Sequence, residues 1–560
     1  MISAKFVGLA AFAAAVITGA GVAAAPPADL RTKADAIVQA AYPADGPGAA
    51  VIITRGGETI YRAGRGLADL EARRPIAADS VFRLGSITKQ FTAAVVLQLV
   101  QEGRISLDDP VSRFFPDYPQ PGAAATVRQL LNHTSGIQSY TGIPGWMVEE
   151  NTNRPHSTAE MIALFRDRPS PTPPGQAWAY NNSGYVLLGA IIEKVTGKPW
   201  HQAVAERIAG PLGLRTTGYG VERESGAAMV RGYTRSGGEV RPARLIHMSV
   251  PHAAGALVGT VDDLARWSNA LHHRRVVGPA LYAAMIAPAA LPEGRTHPYG
   301  FGLGLDDVRG RATIGHSGGI FGFSTYATYV PSDDLFVAIL TNSDEPASPP
   351  ALVASRLAAL ALGDPYPEFE RAQVDPATLA PLFGIYRVGD AGVSRRFFAR
   401  EGKLYTMRDG GADLEVFAAG GDRFFYGPNS LTWFRVERRA DGAHVMAMHQ
   451  NGNVEAERAV RTGDVPPEAP PVQVAREILV TYVGHYQTPG PAAEIAMGEN
   501  DVLTIQLTGQ PAIPLRATSA TEFVVQGVDA RIVFHPENGA ANRFVIHQGG
   551  RELEGRRVAR

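Results

Sequence analysis

The chain has 560 residues, of which 45% are hydrophobic and 19% charged, so it contains enough apolar material for a large core and several domains. Its 53 basic and 54 acidic side chains nearly cancel, which argues against nucleic acid or an anionic membrane as a partner. The absence of cysteine excludes thiolate nucleophiles, disulfides and cysteine-ligated zinc, so any nucleophile must be an oxygen or an amine.

The N-terminus has the pattern of a secretory signal. Lys5 supplies a positive charge, an apolar stretch runs from Phe6 to Ile17, and small residues continue to Ala25. We predict that residues 1–25 are a signal peptide and that the mature protein is periplasmic or secreted, without stable membrane insertion. The alternative is an uncleaved anchor, because residues 6–25 could barely span a bilayer.

Residues 26–364 are predicted to form one large mixed domain. Helical patterns alternate there with short strand-like runs, including "GAAVIITRGG" at 48–57 and "LFVAILTNS" at 335–343. The first run is expected to form an early strand of an antiparallel sheet, and the second a late one.

A serine and a lysine stand three residues apart at the head of an apolar run, "VFRLGSITKQFTAAVVLQLV" at 81–100. The run predicts a buried central helix that ends near Gly103. Ser86 and Lys89 would share one face at its N-terminus, where the helix dipole favours a developing negative charge. The alternative is an N-cap serine and a surface lysine, although a lysine beside so apolar a helix is costly without partners.

Two further polar elements follow along the chain. Tyr180-Asn181-Asn182 precedes a second apolar helix, and His316-Ser317-Gly318 lies in a glycine-rich, strand-like stretch. Between the serine–lysine pair and these elements lies "LLNHTSGI" at 130–137, where His133 is expected to position a loop and not to act as a base. No H-E-x-x-H or G-x-G-x-x-G pattern is present, so neither a metal nor a cofactor is predicted.

The composition changes after residue 362, where the proline-rich, charged segment "LGDPYPEFERAQVDPA" is typical of a linker. The remaining chain repeats itself: "LFGIYRVGD" near Gly384 recurs near Gly484 as "YVGHYQTPG", and the segment around His449 recurs around His547. Short alternating segments predict two small antiparallel barrels or sandwiches, at 375–463 and 474–560, joined by a second Pro-rich linker. The two histidines are expected to be structural.

The ordered elements S-x-x-K, Y-x-N and H-x-G resemble those of the serine β-lactamase and penicillin-binding superfamily, in its class C β-lactamase-like peptidase branch. The resemblance covers roughly residues 30–362, and "AAGALVGTVDDLARW" at 253–267 also looks like a segment of that branch. It implies an α+β fold, a β-lactamase-like domain with an antiparallel sheet and helices, here followed by the two all-β units. This architecture also resembles the D-aminopeptidases and the linear-microcystin peptidase of sphingomonad-type bacteria.

Carried over residue by residue, the resemblance implies that Ser86 attacks a carbonyl and forms an acyl-enzyme. Lys89 and Tyr180 would share the proton transfers, and Tyr180 can act as a base only if a nearby Lys89 ammonium lowers its pKa well below about 10. Asn182 would hold Lys89 and the substrate amide. The backbone N–H groups of Ser86 and Gly319 would form the oxyanion hole.

His316 stands where many β-lactamases have a lysine, and Gly318 and Gly319 beside it are predicted to bind substrate. A histidine is mostly neutral at pH 7, so a substrate carboxylate is a less obvious anchor here. We expect a neutral His316 to donate a hydrogen bond to a substrate carbonyl instead.

The sequence therefore predicts an active-site serine hydrolase that cleaves peptide or amide bonds, acting on peptides that contain D-residues. It would be of the D-aminopeptidase, D,D-peptidase or linear-microcystin peptidase type. An esterase or class C-type β-lactamase, and a non-catalytic penicillin-binding sensor, remain as alternatives. The expected partner is a small peptide, amide or ester substrate, and the oligomeric state stays open.

Overall fold

The structure is a computed structural model. It describes residues 29–558 except 225, 227, 237, 390–392, 410, 467–471, 489–491, 499–500, 508–511, 527, 529, 538–539 and 549–550. The predicted signal peptide lies outside the described residues. None of the helices in the described ranges has both the length and the apolar character that a membrane span requires.

A six-stranded antiparallel sheet forms the centre of the first domain. In spatial order its strands are β12 (Gly304–Val308), β13 (Arg311–Ile320), β14 (Phe323–Val330), β15 (Leu335–Thr341), β1 (Ala49–Arg55) and β2 (Glu58–Arg65). The early and late strands predicted from the sequence are β1 and β15, which pair directly from Ala49 opposite Thr341 to Arg55 opposite Leu335. The predicted α+β fold with an antiparallel sheet is therefore confirmed.

Helices cover both faces of this sheet, which explains why β1 and β15 are apolar at successive positions. On one face, Val51 and Ile53 pack with α1 (Leu30–Ala41) and α14 (Pro350–Ala361). On the other face, Ala50 and Ile52 belong to the larger core around α2 (Thr88–Gln101) and α7 (Asn182–Thr196). The predicted buried helix is α2, in which 11 of 14 residues are buried.

The remaining α-helices are short and lie mostly between α2 and β12. They are α3 (Val111–Phe114), α4 (Val127–Leu131), α5 (Glu149–Thr152), α6 (Thr158–Ala163), α8 (Trp200–Val204), α9 (Gly210–Leu212), α10 (Gly220–Arg223), α11 (His252–Gly255), α12 (Val261–His272), α13 (Pro279–Met285) and α15 (Arg476–Tyr482). A π-helical turn covers Ala205–Ala209. Turns of 3₁₀ helix cover Gly85–Ile87, Gly122–Ala124, Tyr140–Gly142, Pro292–Gly294, Pro331–Asp333, Pro376–Leu382 and Gln450–Gly452.

Small sheets complete the first domain. Their strands are β3 (Leu67–Asp69) with β4 (Arg74–Pro75), β5 (Phe82–Arg83) with β9 (Leu257–Gly259) and β6 (Gly218–Tyr219), β7 (Tyr233–Ser236) with β8 (Glu239–Pro242), and β10 (Ala289–Ala290) with β11 (Thr296–His297).

Two closed eight-stranded barrels follow, as the internal repeat predicts. The first contains β16 (Gly384–Arg387), β17 (Ser394–Arg400), β18 (Lys403–Arg408), β19 (Asp413–Ala418), β20 (Arg423–Phe425), β21 (Trp433–Arg438), β22 (His444–His449) and β23 (Glu457–Gly463). The second contains β24 (Gly484–Gln487), β25 (Ala493–Met497), β26 (Leu503–Leu507), β27 (Ile513–Ala517), β28 (Glu522–Val525), β29 (Ala530–Glu537), β30 (Ala540–Gln548) and β31 (Arg551–Val558).

The repeated sequence elements occupy equivalent places in the two barrels. Gly384 and Gly484 begin the first strand of each barrel, and His449 and His547 lie on the seventh. His449 stacks on Trp433 with ring centroids 4.0 Å apart, and His547 lies 3.3 Å from the Glu552 carboxylate. These contacts agree with the structural role expected for both histidines.

The first barrel is joined to the first domain by hydrogen bonds. Arg309 donates to the Gly452 carbonyl at 2.8 Å, and Arg356 donates to the Pro428 carbonyl at 2.7 Å. The barrel therefore rests near α14, across the central sheet from α2 and α7.

Candidate active site

Ser86 lies in the 3₁₀ turn Gly85–Ile87, immediately before α2. The turn approaches strand β13 so closely that a Cβ atom on Gly318 would lie 2.1 Å from the Leu84 carbonyl oxygen. Gly85 has φ of 55°, and a Cβ atom there would lie 3.0 Å from the Gly319 nitrogen. Glycine at both positions brings the nucleophile's backbone against the H-x-G strand, as an oxyanion hole formed by Ser86 and Gly319 requires.

The Lys89 side chain is fully buried beneath Ser86. Its Nζ donates to Asn182 Oδ1 at 2.8 Å and to the Ala254 carbonyl at 2.9 Å, and it lies at hydrogen-bond distance, 3.0 Å, from Ser86 Oγ. All three partners are uncharged, so burial lowers the pKa of the Lys89 amine well below its usual value. An uncharged amine beside a serine hydroxyl can accept the hydroxyl proton.

Tyr180 and Asn182 complete the surroundings of Lys89. Asn182 is the first residue of α7, which is capped by Asn181, and its Nδ2 donates to Thr141 Oγ1 at 3.2 Å. The Tyr180 hydroxyl is hydrogen-bonded to Ser86, and the Lys89 Nζ lies 4.7 Å from the Tyr180 ring centroid.

Burial raises the pKa of the Tyr180 phenol above its usual value, and its hydrogen bond to Ser86 only partly offsets this. This differs from the expectation that a Lys89 ammonium makes Tyr180 a base. None of the described hydrogen-bond partners of Lys89 and Tyr180 is a carboxylate, so desolvation disfavours the ammonium and the phenolate alike. The arrangement assigns the proton acceptor to Lys89 and leaves Tyr180 as a neutral hydrogen-bond donor.

His316 is held in a buried chain of hydrogen bonds that begins on the far side of the site. The Asn181 N–H donates to His133 Nδ1 at 3.2 Å, and His133 Nε2 lies 3.0 Å from the Tyr299 hydroxyl. That hydroxyl lies 2.8 Å from His316 Nε2, and His316 Nδ1 lies 2.5 Å from the Ser317 carbonyl oxygen.

The groups at the two ends of this series of hydrogen bonds determine where each proton in it lies. A backbone N–H can only donate, so His133 Nδ1 accepts and its Nε2–H donates to Tyr299. A carbonyl can only accept, so His316 Nδ1–H donates to Ser317 and Nε2 accepts from Tyr299. Burial lowers the pKa of His316 to about 4, helped by Lys89, and lowers that of His133 well below its usual value.

His316 is therefore uncharged, as expected, but it does not donate to a substrate carbonyl. Both of its ring nitrogens are occupied, one by Ser317 and one by Tyr299. His133 has the positioning role expected for it.

Two pockets flank Ser86 and Tyr180. The first, about 120 Å³, is lined by Ser86, Asn182 and Gly319 together with mostly apolar side chains, among them Met147, Ile246, Pro251, Ile320 and Phe321. The second, about 260 Å³, is lined by Tyr180, His316 and Asp306 together with Tyr299, Ser317 and Tyr326.

Five of the seven site residues predicted from the sequence line these pockets, while Lys89 lies beneath Ser86 and Gly318 lies against Leu84. The structure adds two residues that were missed. Tyr299 belongs to none of the motifs found in the sequence, and the Ala254 carbonyl carries no side-chain signal. The resemblance of the segment 253–267 was the one available indication of Ala254. Within the described ranges, no group of three or more His, Asp or Glu side chains could hold a metal ion.

Comparison with known proteins gives one family and several relatives. The Beta-lactamase family model matches residues 35–362. A penicillin-binding protein of Bacillus subtilis is 27% identical over 435 residues, covering 74% of this chain and 94% of that protein. A D-aminopeptidase of Gluconobacter oxydans is 28% identical over 364 residues, covering 63% of this chain and 65% of that protein, less than two thirds of its length. Esterase EstB of Burkholderia gladioli is 31% identical over 362 residues, covering 55% of this chain and 89% of that protein.

Solved structures of a penicillin-binding protein homologue and of an amidohydrolase also match the chain. The octameric penicillin-binding protein homologue from Pyrococcus abyssi matches with a TM-score of 0.54 at 26% identity, covering 77% of this chain and 99% of that one. A D-stereospecific amidohydrolase from Streptomyces sp. matches with a TM-score of 0.50 at 30% identity, covering 57% of this chain and 96% of that one.

Proposed function

The chain belongs to the Beta-lactamase family, and we propose that it is a serine hydrolase that cleaves peptide or amide bonds whose carbonyl group belongs to a D-residue. The observation that carries the proposal is the fully buried Lys89 amine, which is hydrogen-bonded to Ser86 Oγ and whose pKa is lowered by burial. A serine hydroxyl becomes an effective nucleophile only when a neighbour takes its proton, and Lys89 is built to do so.

The reaction follows from the positions of these groups. Ser86 Oγ attacks the substrate carbonyl while its proton passes to Lys89 Nζ, and the N–H groups of Ser86 and Gly319 stabilise the oxyanion. The C–N bond then breaks, and Tyr180 delivers a proton to the leaving amine and regains one from Lys89. Water then attacks the acyl carbon while its proton passes to Lys89 Nζ. The ester C–O bond breaks, Ser86 Oγ takes that proton, and the acid leaves.

The pocket beside Ser86 supports a small apolar acyl side chain. It is about 120 Å³ in volume, and no acidic or basic side chain is among the described residues that line it. A free ammonium on the acyl residue would therefore lose its hydration without gaining a partner. This favours a blocked or internal D-residue over the free amino terminus that a D-aminopeptidase takes.

Similarity supports the stereochemical part of the proposal. The Gluconobacter relative is a D-aminopeptidase and the Streptomyces neighbour a D-stereospecific amidohydrolase. A second candidate, an esterase, is favoured by the 31% identity to esterase EstB. Export to the periplasm or medium remains a proposal that rests on the N-terminal pattern.

The first experiment tests the nucleophile. Ser86→Ala is expected to reduce turnover to near background with an unchanged circular dichroism spectrum, while Ser355→Ala, on the distant helix α14, retains full activity. Mass spectrometry is expected to find a fluorophosphonate on Ser86. Attachment to any other residue contradicts the assignment.

The second experiment tests the substrate. We compare kcat/KM for acetyl-D-Ala and acetyl-L-Ala amides, the unacetylated D-Ala amide, p-nitrophenyl acetate and benzylpenicillin. A preference for the acetyl-D-Ala amide supports the proposal. Equal D and L rates with fast ester turnover favour the esterase, efficient penicillin hydrolysis favours a β-lactamase, and penicillin that stays bound to Ser86 favours a sensor.

A further inference from the structure

The pocket that receives the leaving group can be identified from the proton path. Tyr180 is hydrogen-bonded to Ser86 and is the neutral donor from which a leaving amine takes its proton. The leaving group must then lie on the Tyr180 side, in the pocket of about 260 Å³ that Tyr180 and His316 line together. The pocket on the other side of Ser86 receives the acyl group.

At the floor of this leaving-group pocket, the His316 side chain offers a substrate neither a cation nor a free N–H. Tyr299, which itself accepts from His133, donates its proton to His316 Nε2, while His316 Nδ1 donates to Ser317. This leaves His316 without a free N–H and without a charge. A substrate carboxylate would find no donor on this side chain.

The mouth of the pocket carries a negative charge. Asp306, on β12, lines the pocket, is exposed, and accepts a hydrogen bond from the Asp307 N–H at 2.9 Å. No lysine or arginine is among the described residues that line the same pocket.

The two arginines on the same hairpin are already engaged elsewhere. Arg309 pairs with the Asp364 carboxylate at 2.8 Å. Arg311 lies 3.4 Å from the Asp333 carboxylate. Neither is available to neutralise Asp306 without losing its present partner.

We propose that Tyr299 and Asp306 determine leaving-group specificity: together they make the site reject a leaving group that bears a carboxylate and accept one that is uncharged or cationic. Tyr299 is a positioning residue that acts through His316, and Asp306 acts by its charge. The expected substrates are amides and internal peptide bonds, and not peptides in which one C-terminal residue with its free carboxylate is released. The inference rests on the proposed function and names the substrate class of that same site.

The test uses three matched substrates that share the acyl group and differ in the charge of the leaving group. They are acetyl-D-Ala-L-Ala with a free carboxylate, its C-terminal amide, and the aminoethyl amide of acetyl-D-Ala. At 0.05 M salt the full-length enzyme is expected to show a kcat/KM at least tenfold higher for the amide and the aminoethyl amide than for the free acid. Equal values, or a preference for the acid, overturn the inference.

Two variants then separate the contribution of Tyr299 from that of Asp306. Tyr299→Phe leaves His316 Nε2 free to bind a proton and so to offer an N–H to a carboxylate, and we expect the amide-to-acid ratio of kcat/KM to fall fivefold or more. The matched control is Tyr282→Phe, which removes another buried tyrosine hydroxyl bonded to a histidine, His272, at 2.8 Å. The control should leave the ratio unchanged, so a general loss of packing cannot mimic the result.

Asp306→Asn is expected to lower the preference for the aminoethyl amide over the acid by about two- to fourfold, the usual size of an exposed charge interaction. The effect should disappear at 0.5 M salt, because exposed charges are screened there. Asp307→Asn, next to the pocket but not lining it, should change the ratio less. Unchanged ratios in both Tyr299→Phe and Asp306→Asn overturn the inference.

Failure of the inference can be told from failure of the proposed function. Labelling of Ser86 by a fluorophosphonate does not depend on the charge of a leaving amine. An enzyme that is labelled at Ser86 yet cleaves the three substrates equally fast overturns the inference alone. An enzyme that is not labelled and cleaves none of them overturns the proposed function, and the inference with it.

Discussion

Replacing Lys89 with methionine should separate catalysis from stability. The variant loses the proton acceptor beside Ser86, so kcat is expected to fall by about 10²-fold or more. It also removes a fully buried amine whose three described hydrogen-bond partners are all uncharged. The unfolded chain keeps this lysine protonated at neutral pH, whereas burial lowers its pKa in the folded protein.

The size of the effect follows from this difference in bound protons. Between the lowered folded pKa and the usual value of 10.5, the unfolded state binds one proton more than the folded state. The free energy of unfolding of the unaltered protein therefore rises with pH, by about 1.4 kcal/mol per unit. The Lys89→Met variant lacks this contribution. The mechanism requires Lys89 to be uncharged from pH 7 upward, and the stability of the variant relative to the unaltered protein should then fall by roughly 3 kcal/mol between pH 7 and pH 9.

Urea unfolding at pH 7, 8 and 9 measures this change. Tryptophan fluorescence reports mainly on the first domain, because four of the five tryptophans, all but Trp433, precede residue 362. The control is Lys194→Met, which replaces an exposed lysine on α7 and should show no such pH dependence. A stability difference for Lys89→Met that stays constant from pH 7 to pH 9 would mean that the folded enzyme holds Lys89 as an ammonium, and would refute the mechanism.

Three further predictions concern the same site. Tyr180→Phe should lower kcat about 10²-fold. The double variant with Lys89→Ala should be little worse than the poorer single variant, because the two groups act as a unit. Additive losses in single-turnover acylation would contradict this. His316→Lys should strengthen binding of carboxylate-bearing β-lactams relative to neutral amides by about 1 kcal/mol or less, measured by inhibition constants; weaker binding would speak against a nearby carboxylate position. Burial lowers the pKa of His252 and His272 to about 3 and that of His316 to about 4, so the unfolded state takes up protons below pH 6.5 that the folded state does not. The contribution of these three histidines to the free energy of unfolding should be fully retained above pH 6.5 and fall by up to about 1.4 kcal/mol per pH unit and histidine towards pH 4. A flat profile from pH 6.5 to 4.5 would contradict the burial of these rings in neutral form.

The sequence alone determined the features that are encoded locally. The spacing of Ser86 and Lys89 at the head of an apolar run predicts a buried helix with both side chains near its start, and the structure has that helix as α2. The strands β1 and β15 followed from their apolar runs, and the two barrels from the repeat around Gly384 and Gly484. Each of these signals depends on side-chain periodicity or on similarity between segments, which the amino-acid order contains directly.

Tertiary structure decided the charge and the hydrogen-bonding role of the site residues. The Ala254 carbonyl bonds Lys89 across 165 positions, and His133 bonds Tyr299 across 166, so no local pattern could have joined them. Ionisation depends on how completely water is removed and on which acceptors replace it, and both are properties of the packed site. The sequence therefore predicts which groups meet at Ser86, while only the fold makes Lys89 an uncharged base and His316 an acceptor.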